Sequence, residues 1–81
     1  MQALTPEVIA AGLRDKNEKV RVAAVRVAEE AQTAELIKLV NDPSAEVRLH
    51  LAFKLSGLPG PEVEKALITL LEQANSSLFA E

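Results

Sequence analysis

The sequence predicts an all-α fold, and three observations support this prediction. Apolar residues recur at spacings of three and four, which is the period of a helix that buries one face. Helix-capping residues followed by an acidic residue or a proline stand at the starts of these runs. No stretch alternates between apolar and polar residues for long enough to predict a strand. We therefore expect about five helices, packed mainly by Ala, Val and Leu, because only 2% of the 81 residues are aromatic.

The first two helices are expected to begin at Thr5 and Asn17, since both residue types are good N-caps. Pro6 and Glu7 follow Thr5, and both suit the first turn of a helix. The apolar residues of the first helix are Val8, Ile9 and Leu13. The second helix is predicted to bury one stripe, which consists of Val20, Ala24, Val27, Ala28 and Ala31.

Three further helices are predicted around two turns. Thr33 opens a short third helix, whose apolar residues are Leu36, Ile37, Leu39 and Val40. The turn 41–44 ends at Ser44, which caps a fourth helix with the stripe Val47, Leu51, Leu55 and Leu58. Gly57 marks its end, and the Pro-rich break 58–61 follows. The fifth helix starts at Pro61, and its apolar residues are Val63, Ala66, Leu67, Leu70 and Leu71.

The helices repeat in pairs. Residues 13–21 match residues 40–48 at a constant offset of 27 (20 to 47), and residues 36–40 match 67–71 at an offset of 31 (36 to 67). Repeats of this length with one helix pair per unit are typical of an α-solenoid. We expect one domain with a first repeat over 5–31, a second over 33–58 and a partial third over 61–81. The second helix of the third repeat should begin near Ser76 or Ser77.

The chain resembles the HEAT-repeat family, most closely the short bacterial HEAT-like variety seen in phycobilisome-lyase-type proteins. Two segments carry the resemblance: Asp15 with Val20-Arg21, and Asp42 with Val47-Arg48. The resemblance implies a right-handed α-solenoid of antiparallel helix pairs. It also implies a structural ladder in which Asp and Arg side chains of adjacent repeats pair, and its residues here are Asp15, Arg21, Asp42 and Arg48.

A second resemblance covers one repeat. Residues 47–57 with the Pro-rich turn after them look like HEAT segments of large bacterial proteins that carry dehydrogenase and cytochrome-c modules. This resemblance implies an accessory segment within a multi-domain bacterial enzyme. Such a segment would position catalytic domains without reacting itself.

Composition excludes several classes of protein. The absence of cysteine excludes a disulfide scaffold and a Cys-based zinc site. The net charge of −3 argues against a nucleic-acid partner. The sequence shows neither a signal peptide nor an apolar run that could span a membrane, so we expect no membrane partner and, by default, a cytoplasmic location.

The sequence offers few residues for catalysis. His50 is the single histidine, with Glu46 four residues before it and Lys54 four after it, and no nucleophile accompanies them. A surface histidine on a helix explains this pattern. Gly57 and Gly60 lie beside prolines in a turn, which is not the setting of a phosphate-binding loop. We therefore expect no catalytic, cofactor-binding or metal-binding residues and no enzymatic activity.

A partner-binding groove is the better candidate. Positions on the second and fourth helices outside the predicted core stripes define it, and they are Lys19, Val22, Ala23, Arg26, Glu46, Leu49, His50 and Phe53. Leu49 and Phe53 together would form an exposed apolar spot of the kind that partners use, unless they pack against the next helix pair.

We expect a protein-interaction or scaffolding module whose protein partner the sequence does not identify. Two alternatives remain open: the accessory segment of a bacterial enzyme, and a module that forms a homodimer through its open C-terminal end. The incomplete third repeat further predicts that the 81 residues are an excerpt of a longer repeat protein.

Overall fold

A computed structural model describes the backbone of residues 5–79 and the side chains of residues 5–74. These residues form five α-helices, namely α1 (Pro6–Leu13), α2 (Glu18–Val27), α3 (Thr33–Ile37), α4 (Ala45–Leu55) and α5 (Pro61–Phe79). Two 3₁₀ segments, Glu30–Gln32 and Lys38–Asn41, flank α3, and no strand occurs between residues 5 and 79. The predicted all-α fold with about five helices is confirmed.

Three of the predicted N-caps are confirmed. The side-chain oxygen of Thr5 accepts a hydrogen bond from the backbone N–H of Val8 at 3.2 Å. The side chain of Asn17 accepts from the N–H of Lys19 at 2.8 Å. Ser44 Oγ accepts from the N–H at the third position of α4 at 3.3 Å. Each cap satisfies a backbone donor that the helix itself leaves without a partner, so these helix starts are encoded locally.

The predicted extent of the second helix is wrong, because that prediction included Ala31. α2 ends at Val27, and Ala28 is already extended with a ψ of 152°. A 3₁₀ turn then starts at Glu30, because the backbone N–H of Glu29 donates to Gln32 Oε1 at 2.8 Å in a capping box. α3 begins at Thr33, as predicted, and the hydroxyl of Thr33 donates to the carbonyl of Glu30 at 2.6 Å.

The five helices lie in two rows. α1 contacts α3 and α3 contacts α5, which forms one row, while α2 packs against α4 to form the other. The rows meet where α1 packs on α2 and where α4 packs on both α3 and α5. The α1–α2 contact is close, since a Cβ at Gly12 would lie 3.0 Å from the Cβ of Ala24. The resulting body measures 47 × 28 × 15 Å.

The core lies between the two rows. Its buried apolar residues are Ile9, Leu13, Val22, Ala24, Val25, Ala28, Leu36, Val47, Leu51, Leu55, Val63, Ala66 and Leu70. The stripe predicted for α4 is confirmed at Val47, Leu51 and Leu55, which are fully buried, and Leu58 is half-buried.

The stripe predicted for the second helix is wrong at three of its five positions. Val20 is 39% exposed, Val27 is 43% exposed, and Ala31 is exposed beyond the end of α2. Val22 and Val25 are buried instead. The reason is tertiary: α4 and α1 both pack against α2, but Val20 and Val27 line a hollow between α1 and α2 that no third helix within residues 5–79 fills.

α5 buries Val63, Ala66 and Leu70 and leaves Leu71 exposed. Its backbone stays helical to Phe79, so the predicted start of a further helix near Ser76 or Ser77 is wrong. Side chains beyond residue 74 lie outside the described part of the chain. Within that part, each helix is too short or too polar to cross a membrane.

Candidate interaction surface

A bidentate ion pair joins α2 to the turn before α4. Arg21 donates from Nε to Asp42 Oδ2 at 2.8 Å and from Nη2 to Asp42 Oδ1 at 3.0 Å. The third guanidinium nitrogen, Nη1, donates to the carbonyls of Asp15 at 2.8 Å and Lys16 at 3.0 Å. The hydrogen bonds to Asp42 raise the pKa of Arg21. Because only 4% of the Asp42 side chain is exposed, this pair fixes α2 against α4 at their N-terminal ends.

The other two residues of the predicted ladder form different contacts. Asp15 is exposed, and its carboxylate accepts from the backbone N–H of Asn17 at 2.8 Å. Arg48 donates through Nη1 to the carbonyl of Asp42. The structure therefore brings Arg21 and Asp42 together. Within residues 5–74 the carboxylate of Asp15 has no arginine partner, and Arg48 has no carboxylate partner.

One face of α2 and α4 carries six residues that are exposed or half-buried, and we call this face the outer surface. It consists of Lys19, Ala23, Arg26, Glu46, His50 and Phe53. Lys19 Nζ lies 2.9 Å from Glu46 Oε1, and this hydrogen bond together with the charge attraction raises the pKa of Lys19 and lowers that of Glu46. Both groups are solvated, so the pair aligns the helices weakly.

An open depression of about 570 Å³ lies where the C-terminal halves of α2 and α4 meet. The residues that line it are Arg26, Ala28, Glu29, His50, Phe53, Lys54, Gly57 and Leu58. Phe53 is 68% exposed at this site. Lys54 Nζ donates to the carbonyls of Arg26 at 3.0 Å and Ala28 at 2.7 Å, which satisfies the C-terminal end of α2.

The structure separates the eight residues of the predicted groove. Six form the outer surface, and three of those six line the depression. Val22 is 7% exposed and belongs to the core, so its placement in a groove is wrong, because α4 covers that side of α2. Leu49 is 55% exposed, on the side of α4 that corresponds to Val22 on α2.

Two features of the surface were missed from the sequence. Lys54 lines the depression, and a basic residue in the last turn of α4 was its only sequence signal. The second feature is an apolar hollow of about 290 Å³ between α1 and α2, and its lining residues include Val8, Val20 and Val27. The sequence predicted two of these valines in the core, because it does not show which side of α2 lacks a neighbour.

The hydroxyl groups of Ser44 and Ser56 near this surface both donate hydrogen bonds. Ser56 Oγ donates to the carbonyl of Phe53 at 2.7 Å, and Ser44 donates to a carboxylate oxygen of Glu18. His50 is half-buried between Glu46 and Lys54 on its helix. The described residues hold no group of three or more His, Cys, Asp or Glu side chains that could bind a metal ion.

Comparison with protein-family models, with curated proteins and with solved structures finds no match for this chain. The function of the outer surface must therefore be argued from its own geometry and charge.

Proposed function

We propose that this chain is a HEAT-like segment of a right-handed α-solenoid that acts as a protein-interaction or scaffolding module without catalytic activity or a cofactor. The two rows of helices support the proposal, because consecutive helix pairs add one helix to each row. The Arg21–Asp42 pair supports it further, since it links the first helix pair to the second at positions that recur 27 residues apart (21 to 48, 15 to 42).

The exposure of Phe53 is the observation that carries the proposed binding function. An aromatic side chain that is 68% exposed beside an open depression offers apolar area that a partner can bury. Arg26 is exposed at the same site, and arginine is enriched with aromatic residues where partners bind most strongly. We therefore expect a protein partner to contact the outer surface through Phe53 and Arg26.

Site-specific photo-crosslinking tests the proposed binding surface. A benzophenone side chain placed at position 53 should crosslink a defined protein in an extract of the source cells. The matched control carries the same group at position 64, because Glu64 is also exposed but lies outside the depression. We expect one dominant product at position 53 that is absent at position 64.

Affinity measurements with the purified partner complete the test. Phe53→Ala should weaken binding at least about tenfold, since truncation of a central aromatic anchor costs on the order of 2 kcal/mol. Glu64→Ala should leave the affinity unchanged. If Phe53→Ala and Glu64→Ala bind equally well, or if no protein is crosslinked from position 53, the proposal is wrong.

A further inference from the structure

The residues of α2 that face α4 have counterparts at matching positions on α4 itself. On α2 this surface consists of Glu18, Arg21, Val22 and Val25, which share one side of the helix. It contacts the N-cap of α4 through the bond from Ser44 to Glu18, and the turn before α4 through the ion pair of Arg21 with Asp42. The 27-residue register (18 to 45, 25 to 52) places Ala45, Arg48, Leu49 and Ala52 at the same positions on α4.

The two copies differ in burial. Val22 is 7% exposed and Val25 is fully buried, because α4 covers them. Their counterparts are open: Leu49 is 55% exposed, and Ala52 is only half-buried. The side chains on α4 therefore present apolar area where α2 makes an interface.

Arg48 is held in the same way as its counterpart. Arg21 Nη1 donates to the carbonyl of Asp15, and Arg48 Nη1 donates to the carbonyl of Asp42, 27 residues on. The Nε and Nη2 atoms of Arg21 bind the carboxylate of Asp42. No carboxylate among the described residues binds these two nitrogens of Arg48. The guanidinium is thus positioned for a carboxylate from outside this part of the chain.

α5 extends this open surface. The 31-residue register matches Ile37 with Ile68 and Val40 with Leu71. Ile37 and Val40 are half-buried in the helical segment that contacts α4, whereas Ile68 is 55% and Leu71 is 65% exposed. The positions of α5 that match these two residues therefore have no helix packed on them within residues 5–74.

We propose that this open edge binds one amphipathic α-helix of a partner protein, with an aspartate or glutamate just before that helix paired to Arg48. The open edge consists of Arg48, Leu49, Ala52, Ile68 and Leu71. None of these residues lines the depression at Phe53, so the open edge is a second binding surface. The edge continues an interface already present, because its α4 residues repeat those that α2 uses.

The α2–α4 interface specifies the chemistry of the bound helix. α4 brings a carboxylate at Asp42, five residues before its first buried residue, Val47. Leu51 and Leu55 follow on the same face at intervals of four. A partner helix with this pattern can bury Leu49 and the apolar residues of α5, while its carboxylate accepts both free donors of Arg48. The single positive charge of that arginine favours an acidic group at this point.

A synthetic peptide with the sequence of residues 40–57 supplies this pattern and serves as the probe. Labelled with fluorescein, it is titrated with the full chain while fluorescence anisotropy is recorded. We expect saturable binding that Arg48→Ala and Leu49→Asp each weaken at least about tenfold. Val20→Asp is the matched control. Val20 is a partly exposed residue of α2 outside the open edge, so this change should leave binding unchanged.

A charge test separates pairing with Arg48 from general apolar binding. A second peptide carries Asn in place of Asp42. It should bind the unaltered chain more weakly than the original peptide does. Both peptides should bind the Arg48→Ala chain with the same affinity, because the partner of the carboxylate is then missing. Leu49 is exposed, so Leu49→Asp should retain its far-UV circular dichroism even if Arg48→Ala loses it.

Three results would overturn the proposal. The first is peptide binding that does not saturate at chain concentrations up to about 1 mM. The second is equal weakening by Val20→Asp and Leu49→Asp, since the peptide would then bind elsewhere or without specificity. The third is a dimer of the unaltered chain in sedimentation that Leu49→Asp abolishes, because a second copy would then occupy the edge in place of a partner helix.

Discussion

The helices α2 and α4 carry the same local sequence pattern, yet some matched positions of this pattern differ in burial. Val47 is fully buried, whereas Val20, its counterpart 27 residues earlier (20 to 47), is 39% exposed. Val47 has α2 next to it, while Val20 lies over the apolar hollow between α1 and α2. The same residue in the same local setting is core in one copy and surface in the other. Burial here is a property of the position within the row of helices.

The largest expected difference in stability is between variants of Asp42 and Asp15, which hold matching positions in the two copies. Asp42→Ala should lower the free energy of unfolding by roughly 2 to 4 kcal/mol, because it leaves a buried arginine contact and the N–H of Ser44 without their acceptor. Asp15→Ala, at the exposed counterpart, should cost about 0.5 kcal/mol. Urea unfolding followed by circular dichroism measures both. Glu64→Ala is the exposed control, and equal losses in all three variants would show that the ion pair does not hold the helix pairs together.

A smaller difference in stability is expected between variants of the matched valines Val47 and Val20. Val47→Ala should lower the free energy of unfolding by about 2 kcal/mol, through lost apolar burial and the cavity left behind. Val20→Ala should change it by less than about 0.5 kcal/mol, since this side chain is already partly in water. The same urea titrations decide the matter. Similar losses at both positions would mean that Val20 is covered in solution, for example by a second chain.

The smallest effect concerns the exposed pair Lys19–Glu46. The hydrogen bond from Lys19 lowers the pKa of Glu46 below its ordinary 4.5, so this contribution is present above about pH 4.5 and is lost as the pH falls through the lowered value. The pKa of Lys19 is raised above 10.5, so its contribution is present below about pH 10.5 and is lost as the pH rises through the raised value.

A double-mutant cycle with Lys19→Met and Glu46→Gln measures this pair. We expect a small favourable coupling at neutral pH that is lost as the pH falls through the lowered pKa of Glu46 and that shrinks with added salt. A coupling that persists after Glu46 has been protonated would mean that contacts other than charge join these side chains.

Local features could be read from the sequence because they depend on few residues. The caps at Thr5, Asn17 and Ser44 require only a side-chain oxygen and the backbone N–H two or three residues later. The stripe at Val47, Leu51 and Leu55 was correctly predicted from helical periodicity. Both kinds of signal lie within a few turns of one helix.

The errors arise where a second element decides. The exposed site residue Leu49 and the buried residue Val22 were placed together in one groove, since they hold matching positions in the repeat. Only α4, packed against α2, makes them different. Lys54 was missed as a site residue because its partners, the carbonyls of Arg26 and Ala28, end a helix 26 to 28 residues away.

The sequence by itself determined the all-α class, most helix starts and the 27-residue register, because helical periodicity and capping act over a few residues. The tertiary structure decided which side of each helix is core, which of the four ladder residues meet, and where apolar surface stays open. The physical reason is that an amphipathic helix can present apolar residues to more than one side. A neighbouring helix removes one of these sides from water, and the sequence of a single repeat does not state which neighbours are present.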